Sequence, residues 1–140
     1  GCPIGAVLAG SNDFIEDAFR LKHLLGGAMR QSGIIAAAGI YALKHNVDRL
    51  AEDHENAKRL ARRLAQIPGI NIDVSDVETN LVFFDTTSTG RTASEISEAL
   101  RVEGVFIGAV NETRMRAVTH LNISASMVDT AADTIAKVLN

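Results

Sequence analysis

The stretch LVFFDTTSTGRTASEISEALRVEG, residues 81–104, contains both kinds of element from which the fold is predicted. Residues 81–85 are rich in Val and Phe, and such a run is typical of a strand. Thr92 and Glu95 have the spacing of a capping box, which predicts the start of a helix that Gly104 ends. A strand followed closely by a capped helix indicates an α/β fold.

The remainder of the second half repeats this alternation. Further strands are predicted at residues 70–74, 105–107 and 114–119, and a final helix is predicted from a cap at Ser126 to Leu139. Helices that pack on a mostly antiparallel sheet form an open α/β sandwich. We therefore expect residues 68–140 to be a small C-terminal domain of this kind, which begins at the helix-ending pair Pro68-Gly69.

The first half is apolar in a different way. The run at residues 4–9 predicts a buried strand, and Ser11 predicts the N-cap of an amphipathic helix over 12–23. A second helix is predicted from about Met29 to His45, and its middle is apolar on every side, as in a core or an interface helix. The strand has no partner for its backbone hydrogen bonds, so its sheet is expected to lie upstream.

A long amphipathic helix is predicted between the two halves. Its apolar stripe consists of Val47, Leu50, Ala51, His54, Ala57, Ala61, Leu64 and Ile67. Glu55 and Arg59 are spaced for a supporting ion pair. The predicted organisation therefore has three parts: residues 1–45 form the C-terminal part of a large domain, 46–67 form a connecting helix, and 68–140 form the small domain.

Composition argues against several functional classes. The chain of 140 residues is 46% hydrophobic and 22% charged, with a net charge of -3, and it lacks the basic run of a nucleic-acid binder. Its longest apolar stretch, 34–43, is too short to span a bilayer. The single cysteine, Cys2, and the lack of a visible signal peptide favour a cytoplasmic protein. Because the chain begins at Gly1 without Met, we expect an excerpt of a longer protein.

The residues that bear chemistry point to anion binding. His23, His45, His54 and His120 form no HxxxH or HExxH pair, so no metal site is predicted, and His54 is expected to pack in the core. Neither a P-loop nor a GxGxxG fingerprint is present, and no Ser/His/Asp arrangement is recognisable. The candidates that remain are two arginines.

Arg116 is the first of these arginines. Strand alternation places it on one face with Arg114 and Val118, while Met115, Ala117 and Thr119 lie on the other face. The planar guanidinium fork suits a carboxylate, because it can donate two parallel hydrogen bonds. The alternative interpretation is an internal salt bridge, with Glu112 as the partner.

Arg30 is the second arginine. It follows the pair Gly26-Gly27 near the predicted start of a helix, where free backbone N–H groups favour anions and glycines permit close approach. This environment suits a phosphate. The alternative is an ordinary arginine at a helix start that forms a local pair.

Three stretches carry a family resemblance: GCPIGAVLAGS at 1–11, GGAMRQSGIIAAAGIYAL at 26–43, and TNLVF at 79–83 together with RAVTHL at 116–121. Together they resemble the low-specificity L-threonine aldolases, which are pyridoxal-phosphate enzymes of fold type I, the aspartate-aminotransferase-like class. In that family, a run like the first stretch follows a Ser-Lys-Gly-Leu-Gly segment whose lysine holds the cofactor. Only the last of those glycines appears here, as Gly1.

The resemblance implies a fold, a cofactor and site residues. The chain would be the tail of the large domain of a pyridoxal 5'-phosphate enzyme followed by its small α/β domain. Arg116 looks like the arginine that binds the substrate α-carboxylate, and Arg30 is similar to an arginine near the cofactor phosphate, close to a subunit boundary. The catalytic lysine would lie upstream of Gly1. His23 stands where relatives often have lysine.

The reaction implied by the resemblance is retro-aldol cleavage of threonine or allo-threonine to glycine and acetaldehyde, performed by a homodimer or homotetramer. This 140-residue chain alone is expected to be inactive. Two alternatives remain: another fold type I enzyme, such as an aminotransferase or a β-eliminating lyase, and a non-catalytic oligomerisation module. A lysine in the upstream segment would support the enzyme interpretations.

Overall fold

The computed structural model describes all residues from Gly1 to Asn140. The chain forms two compact units, Gly1–Val47 and Asp48–Asn140. The first unit contains helices α1 (Asn12–Leu24) and α2 (Gly33–His45). The second unit contains, in chain order, α3 (Leu50–Leu64), β1 (Leu81–Asp85), α4 (Ala93–Val102), β2 (Gly108–Ala109), β3 (Arg114–Val118) and α5 (Ala125–Leu139).

The helices of the first unit form close to where the sequence predicts them. Ser11 caps α1 as predicted, because its hydroxyl accepts a hydrogen bond from the backbone N–H of Phe14 at 3.4 Å. Helix α2 starts at Gly33 rather than at Met29. The left-handed backbone of Gln31, with φ of 54°, interrupts the chain just before the helix.

The predicted strand at residues 4–9 is wrong for this structure. These residues are irregular and exposed, and Gly5 has a φ of 106°. The physical reason is that the first unit contains no strand with which these residues could pair, and their sheet is predicted to lie upstream. Neither α1 nor α2 contains a buried residue.

The sheet of the second unit has three antiparallel strands in the order β1-β3-β2. The strands predicted at 81–85 and 114–119 are confirmed. The register of β1 on β3 runs from the pair Leu81 and Val118 to the pair Asp85 and Arg114. In β2, Gly108 lies opposite Arg116.

Two other predicted strands are wrong. Residues 70–74 contribute one isolated bridge, between Asn71 and Asp85, and then enter a 3-10 turn at Val74–Asp76. The carboxylate of Asp73 starts that turn by accepting the N–H of Ser75 at 2.8 Å. Residues 105–107 are irregular because the Val105 N–H still bonds to the end of α4, so the strand begins only at Gly108.

The helices α3, α4 and α5 cover one face of this sheet, and the hydrophobic core lies between them. Val82 and Phe84 of β1 and Met115 and Ala117 of β3 point into the core, in strict alternation with more exposed neighbours. They pack with helix residues that include Leu60, Leu64, Ile96, Leu100, Val128 and Ile135. Alternation therefore leaves the opposite face of the sheet without a covering helix.

Side-chain caps fix the starts of α4 and α5. The predicted capping box is present: the Thr92 hydroxyl accepts the Glu95 N–H at 3.2 Å, and the Glu95 carboxylate accepts the Thr92 N–H at 2.8 Å. The cap of α5 is Ser124, two residues before the predicted Ser126. Its hydroxyl accepts the Met127 N–H at 3.3 Å.

The buried stripe of α3 differs from the predicted one in its N-terminal half. Leu50 and Ala51 are exposed and His54 is only half-buried, so the core role predicted for His54 is wrong. Asp53 and Asn56 take the inward positions instead. Their polar atoms are satisfied there: Arg49 donates two hydrogen bonds to Asp53 at 2.7 and 2.9 Å, and the Asn56 amide donates to the carbonyl of Ile123 at 2.9 Å.

The predicted Glu55–Arg59 ion pair of α3 is not formed, because Arg59 instead pairs with α5. Arg59 donates two hydrogen bonds to Asp129, at 2.6 and 2.8 Å, while Glu55 is bound by Arg62. Arg63 contacts both Asp129 and Asp133. Helix α3 lies within the second unit, and the boundary between the units falls after Val47. The role of residues 46–67 as a connecting helix stays a prediction. That residues 1–45 belong to a larger cofactor-binding domain stays a prediction.

Candidate functional site

The uncovered face of the sheet is the candidate site. We call it the open face and define it by Leu81, Phe83, Asp85, Arg114, Arg116 and Val118. These residues lie in directly paired positions of β1 and β3. None of them is fully buried, and the face combines apolar side chains with two guanidinium groups and one carboxylate.

The Arg116 side chain is exposed and makes no hydrogen bond or ion pair within the chain. The salt bridge to Glu112 that was the alternative interpretation is therefore not formed. On one side Arg116 lies opposite Phe83, and on the other it lies opposite Gly108, which has no side chain and has open space where a Cβ would stand. The guanidinium thus keeps all its donors free for an anion from outside the chain.

Arg114, two residues away on the same face, has a different environment. Its guanidinium carbon lies 4.9 Å from the centre of the Phe83 ring, within the range of a cation–π contact. It also lies directly opposite Asp85. The Arg114 guanidinium therefore has an aromatic contact inside the chain, whereas the Arg116 guanidinium has none, and no salt bridge joins Arg114 to Asp85.

Asp85 has a local structural role as well. Its carboxylate accepts the N–H of Thr87 at 2.9 Å at the start of the turn that follows β1. Hydrogen bonds from Thr87 hold the pKa of Asp85 below its ordinary value, and the positive charge of Arg114 lowers that pKa further. Asp85 is therefore a fixed negative charge on the open face.

Arg30 lies in the first unit, in the segment between α1 and α2. It is exposed and forms no ion pair or side-chain hydrogen bond, so the local pair that was its alternative interpretation is absent. Nearby, Gly26 has a φ of 79°, and the N–H of Gly27 bonds back to the carbonyl of Lys22 at 2.7 Å. The glycine pair thus closes the end of α1 and leads into the segment that contains Arg30.

The remaining histidine of interest, His23, lies at the end of α1. The centre of its ring lies 4.3 Å from that of Phe19, with the two rings tilted by 52°, and its Nδ1 is 2.8 Å from the carbonyl oxygen of Phe19. No helix in the chain is long and apolar enough to cross a membrane.

Phe83 and Asp85 are the site residues that reasoning from sequence missed. Alternation within 81–85 could have placed both on one face with Leu81. What it could not supply is the register, which brings Phe83 beside Arg116 and Asp85 beside Arg114. Pairing partners cannot be read from two separate strands.

Comparison with known proteins now identifies the family. Residues 1–87 match the model of the beta-eliminating lyases. The chain belongs to the beta-eliminating lyase family. This lyase chain is 41% identical over 129 residues to low-specificity L-threonine aldolase 1 of Arabidopsis thaliana, a match that covers 91% of the chain and 36% of that protein.

A second relative gives the same result. The lyase chain is 43% identical over 124 residues to the low specificity L-threonine aldolase of Escherichia coli, covering 89% of the chain and 35% of that protein. The predicted resemblance to the threonine aldolases is confirmed. The chain spans about a third of the length of these relatives, at 36% and 35%.

Solved structures support the fold class. The structure of Plasmodium falciparum ornithine delta-aminotransferase superposes with a TM-score of 0.59 at 17% identity, over 75% of this lyase chain and 28% of that chain. DesI, solved in the presence of its TDP-sugar product, gives 0.62 at 17% identity, over 75% and 35%. These likenesses support the fold alone, and the predicted α/β fold class is confirmed.

Proposed function

We propose that this chain is the C-terminal portion of a pyridoxal-phosphate-dependent aldolase that cleaves threonine or allo-threonine to glycine and acetaldehyde. The observation that carries the proposal is Arg116, an exposed guanidinium on the open face with no partner in the chain. The identity of 41% and 43% to threonine aldolases supports the choice of reaction. The proposal assigns the activity to the complete protein, which is expected to be a cytoplasmic homodimer or homotetramer.

Arg116 would bind the α-carboxylate of the substrate. A guanidinium donates two parallel hydrogen bonds to a carboxylate, which fixes the plane of the carboxylate as well as its position. The absence of a side chain at Gly108 leaves space beside Arg116 for such a ligand. Holding the carboxylate in one orientation fixes the direction of the Cα–Cβ bond that has to break, which is an orientational contribution to the rate.

Arg30 fits the phosphate of the cofactor by its chemistry. It is an exposed cation without a partner in a segment entered through two glycines, and guanidinium groups suit phosphate as they suit carboxylate. When bound, pyridoxal phosphate supplies an electron sink that stabilises negative charge at the substrate Cα. The lysine that holds the cofactor and the base that accepts the hydroxyl proton are expected upstream of Gly1.

Arg116→Lys in the full-length protein tests the proposal. Lysine keeps the positive charge and loses the two-pronged hydrogen bonding. We expect kcat/KM for threonine to fall by an amount equivalent to about 2–5 kcal/mol, with cofactor content unchanged. Acetaldehyde release measures the former, and absorbance near ~420 nm measures the bound cofactor.

Arg62→Lys is the matched control, since Arg62 is an exposed arginine of α3 that pairs with Glu55. That control should retain the kcat/KM of the unmodified protein. If Arg116→Lys stayed within a factor of about three, or ~0.7 kcal/mol, Arg116 would not be the carboxylate ligand.

The products separate the proposed reaction from its alternatives. Threonine cleavage yields glycine and acetaldehyde in equal amounts. Formation of a 2-oxo acid instead would identify another fold type I enzyme, such as an aminotransferase or a β-eliminating lyase. A full-length protein with no lysine in the upstream segment and no turnover would be a non-catalytic module.

A further inference from the structure

The two arginines of the open face are two residues apart on β3 and point to the same side of the sheet, yet they differ in their partners. Arg114 lies 4.9 Å from the Phe83 ring centre and opposite Asp85. Arg116 contacts neither a ring nor a carboxylate, although it is the direct cross-strand neighbour of Phe83. A carboxylate ligand can therefore distinguish between them.

We propose that Asp85 is a specificity-determining residue: its negative charge opposite Arg114, together with the Phe83 ring against the Arg114 guanidinium, leaves Arg116 as the cation of the open face that binds a carboxylate, and the site therefore selects amino acids with a single carboxylate. This inference rests on the proposed function, because it assumes that Arg116 binds the substrate α-carboxylate. It adds the reason why the neighbouring Arg114 does not bind a second carboxylate.

The charge balance of the face supports this selection. Directly opposed residues in an antiparallel pair have Cβ atoms about 4.5–5.5 Å apart, so the charge of Asp85 offsets part of the charge of Arg114 for a ligand on the face, although no salt bridge joins the two side chains. The ring of Phe83 further holds the guanidinium of Arg114 by a cation–π contact. A ligand with a second carboxylate near Arg114 would meet the negative charge of Asp85, while a ligand with an uncharged side chain would not.

Asp85 also has a structural task, and the two roles can be separated. The carboxylate accepts the Thr87 N–H at 2.9 Å and so shapes the turn after β1. Asparagine retains an oxygen that can accept this hydrogen bond but carries no charge. Asp85→Asn therefore removes the electrostatic role and keeps the turn.

The test uses the full-length holoenzyme and two competitive inhibitors of threonine cleavage, propionate with one carboxylate and succinate with two. The measured quantity is the ratio of the succinate Ki to the propionate Ki. In Asp85→Asn we expect this ratio to fall by about 5–10-fold, because Arg114 regains its net charge. Phe83→Leu should lower the ratio by a smaller factor, because it releases the guanidinium of Arg114 while Asp85 remains.

The double variant Asp85→Asn with Arg114→Gln is the matched control, and it should restore the original ratio. A ratio that stays within about twofold in Asp85→Asn, with the thermal midpoint retained, would overturn the inference. So would an Arg114→Gln variant that weakens propionate binding as much as Arg116→Gln does, because Arg114 would then be a free ligand of the first carboxylate.

Arg116→Gln distinguishes this inference from the proposed function beneath it. Weaker propionate binding in Arg116→Gln, combined with an unchanged ratio in Asp85→Asn, would remove only the role of Asp85. Unchanged propionate binding in Arg116→Gln would remove the assignment of Arg116 as the carboxylate ligand, which is the observation that carries the proposed function.

Discussion

In this chain the helix with the more apolar composition, α2 of the first unit, is the more exposed one, and the more polar helix, α3 of the second unit, is the more buried one. Helix α2, GIIAAAGIYALKH, has two polar residues at its end and no other charge, yet none of its residues is buried. Helix α3, LAEDHENAKRLARRL, is mostly charged and polar, yet it buries Ala57, Leu60, Ala61 and Leu64 completely or nearly so. Helix α3 packs against the sheet and α5, whereas α2 has no such partner in its unit.

This difference shows that apolar composition alone does not bury a helix. Its side chains are buried only where neighbouring elements pack against them. Ile34, Ile40, Tyr41 and Leu43 of α2 are all more than half exposed. Contiguous apolar surface of this kind marks an interaction site or a risk of aggregation. The second unit, by contrast, contains both the sheet and the helices that enclose its core.

We expect the largest difference between the two units in the hydrogen-exchange protection of their backbone amides, measured on the 140-residue chain. We expect strong protection of the paired strands at 81–85 and 114–118, because their N–H groups are bonded within a sheet backed by the core. Residues 4–9 should exchange rapidly, because they are irregular and exposed. Strong and equal protection at residues 4–9 in a monomer would show a partner for that segment and contradict the division.

Removing one phenylalanine from each unit sharpens the same comparison. Phe84 is 2% exposed in the core of the second unit, whereas Phe19 of α1 is 62% exposed. Phe84→Ala should reduce the free energy of unfolding by about 3–5 kcal/mol, through lost burial and the cavity left behind. Phe19→Ala should change it by less than about 0.5 kcal/mol.

Urea unfolding followed by far-ultraviolet circular dichroism would measure both variants. A comparable loss of stability in Phe19→Ala would mean that the first unit has a core of its own.

The elements that could be predicted from sequence are those fixed by neighbouring residues. The capping box of Thr92 and Glu95 and the cap at Ser11 were both read correctly, because a cap depends on residues three positions apart. The strand at 81–85 was predicted because enrichment in Val and Phe is a local property too.

The features that the sequence did not predict depend on contacts between residues far apart in the chain. The burial of Asp53 could not be predicted, because it depends on packing beside the end of β3, where the Thr119 hydroxyl donates a hydrogen bond to the Asp53 backbone carbonyl at 2.7 Å. The run at 4–9 has the composition of a strand but no partner in its unit. In the site, sequence alone singled out Arg116, while the register that sets Asp85 against Arg114 is a tertiary fact.

The two N-caps permit a comparison with a smaller expected effect. Thr92 and Ser11 both accept an N–H from the third residue of their helix. Thr92→Ala should cost about 1 kcal/mol in the unfolding of the second unit, because α4 belongs to its core. Ser11→Ala should leave that transition unchanged, because α1 has no buried residue.

Chemical unfolding of both variants at the same pH would check this expectation. An equal shift in both would contradict it, since it would show that α1 unfolds together with the second unit.

The smallest effect concerns the pH dependence of the ion pairs between α3 and α5. Hydrogen bonds from Arg59 hold the pKa of Asp129 below its ordinary value of 3.8. A carboxyl group whose pKa is lowered by folding stabilises the folded state at pH values above 3.8 and loses that contribution as the pH falls through its folded pKa. Asp129→Asn should therefore lower the thermal midpoint most at neutral pH, and its difference from the original chain should shrink as the pH falls below 3.8.

Asp133→Asn is the matched control, because Asp133 contacts only Arg63 and is 70% exposed, so its difference at neutral pH should be smaller. Thermal unfolding at constant ionic strength across this pH range measures all three proteins, and a difference for Asp129→Asn that is the same at every pH would show that the loss is one of packing rather than of charge.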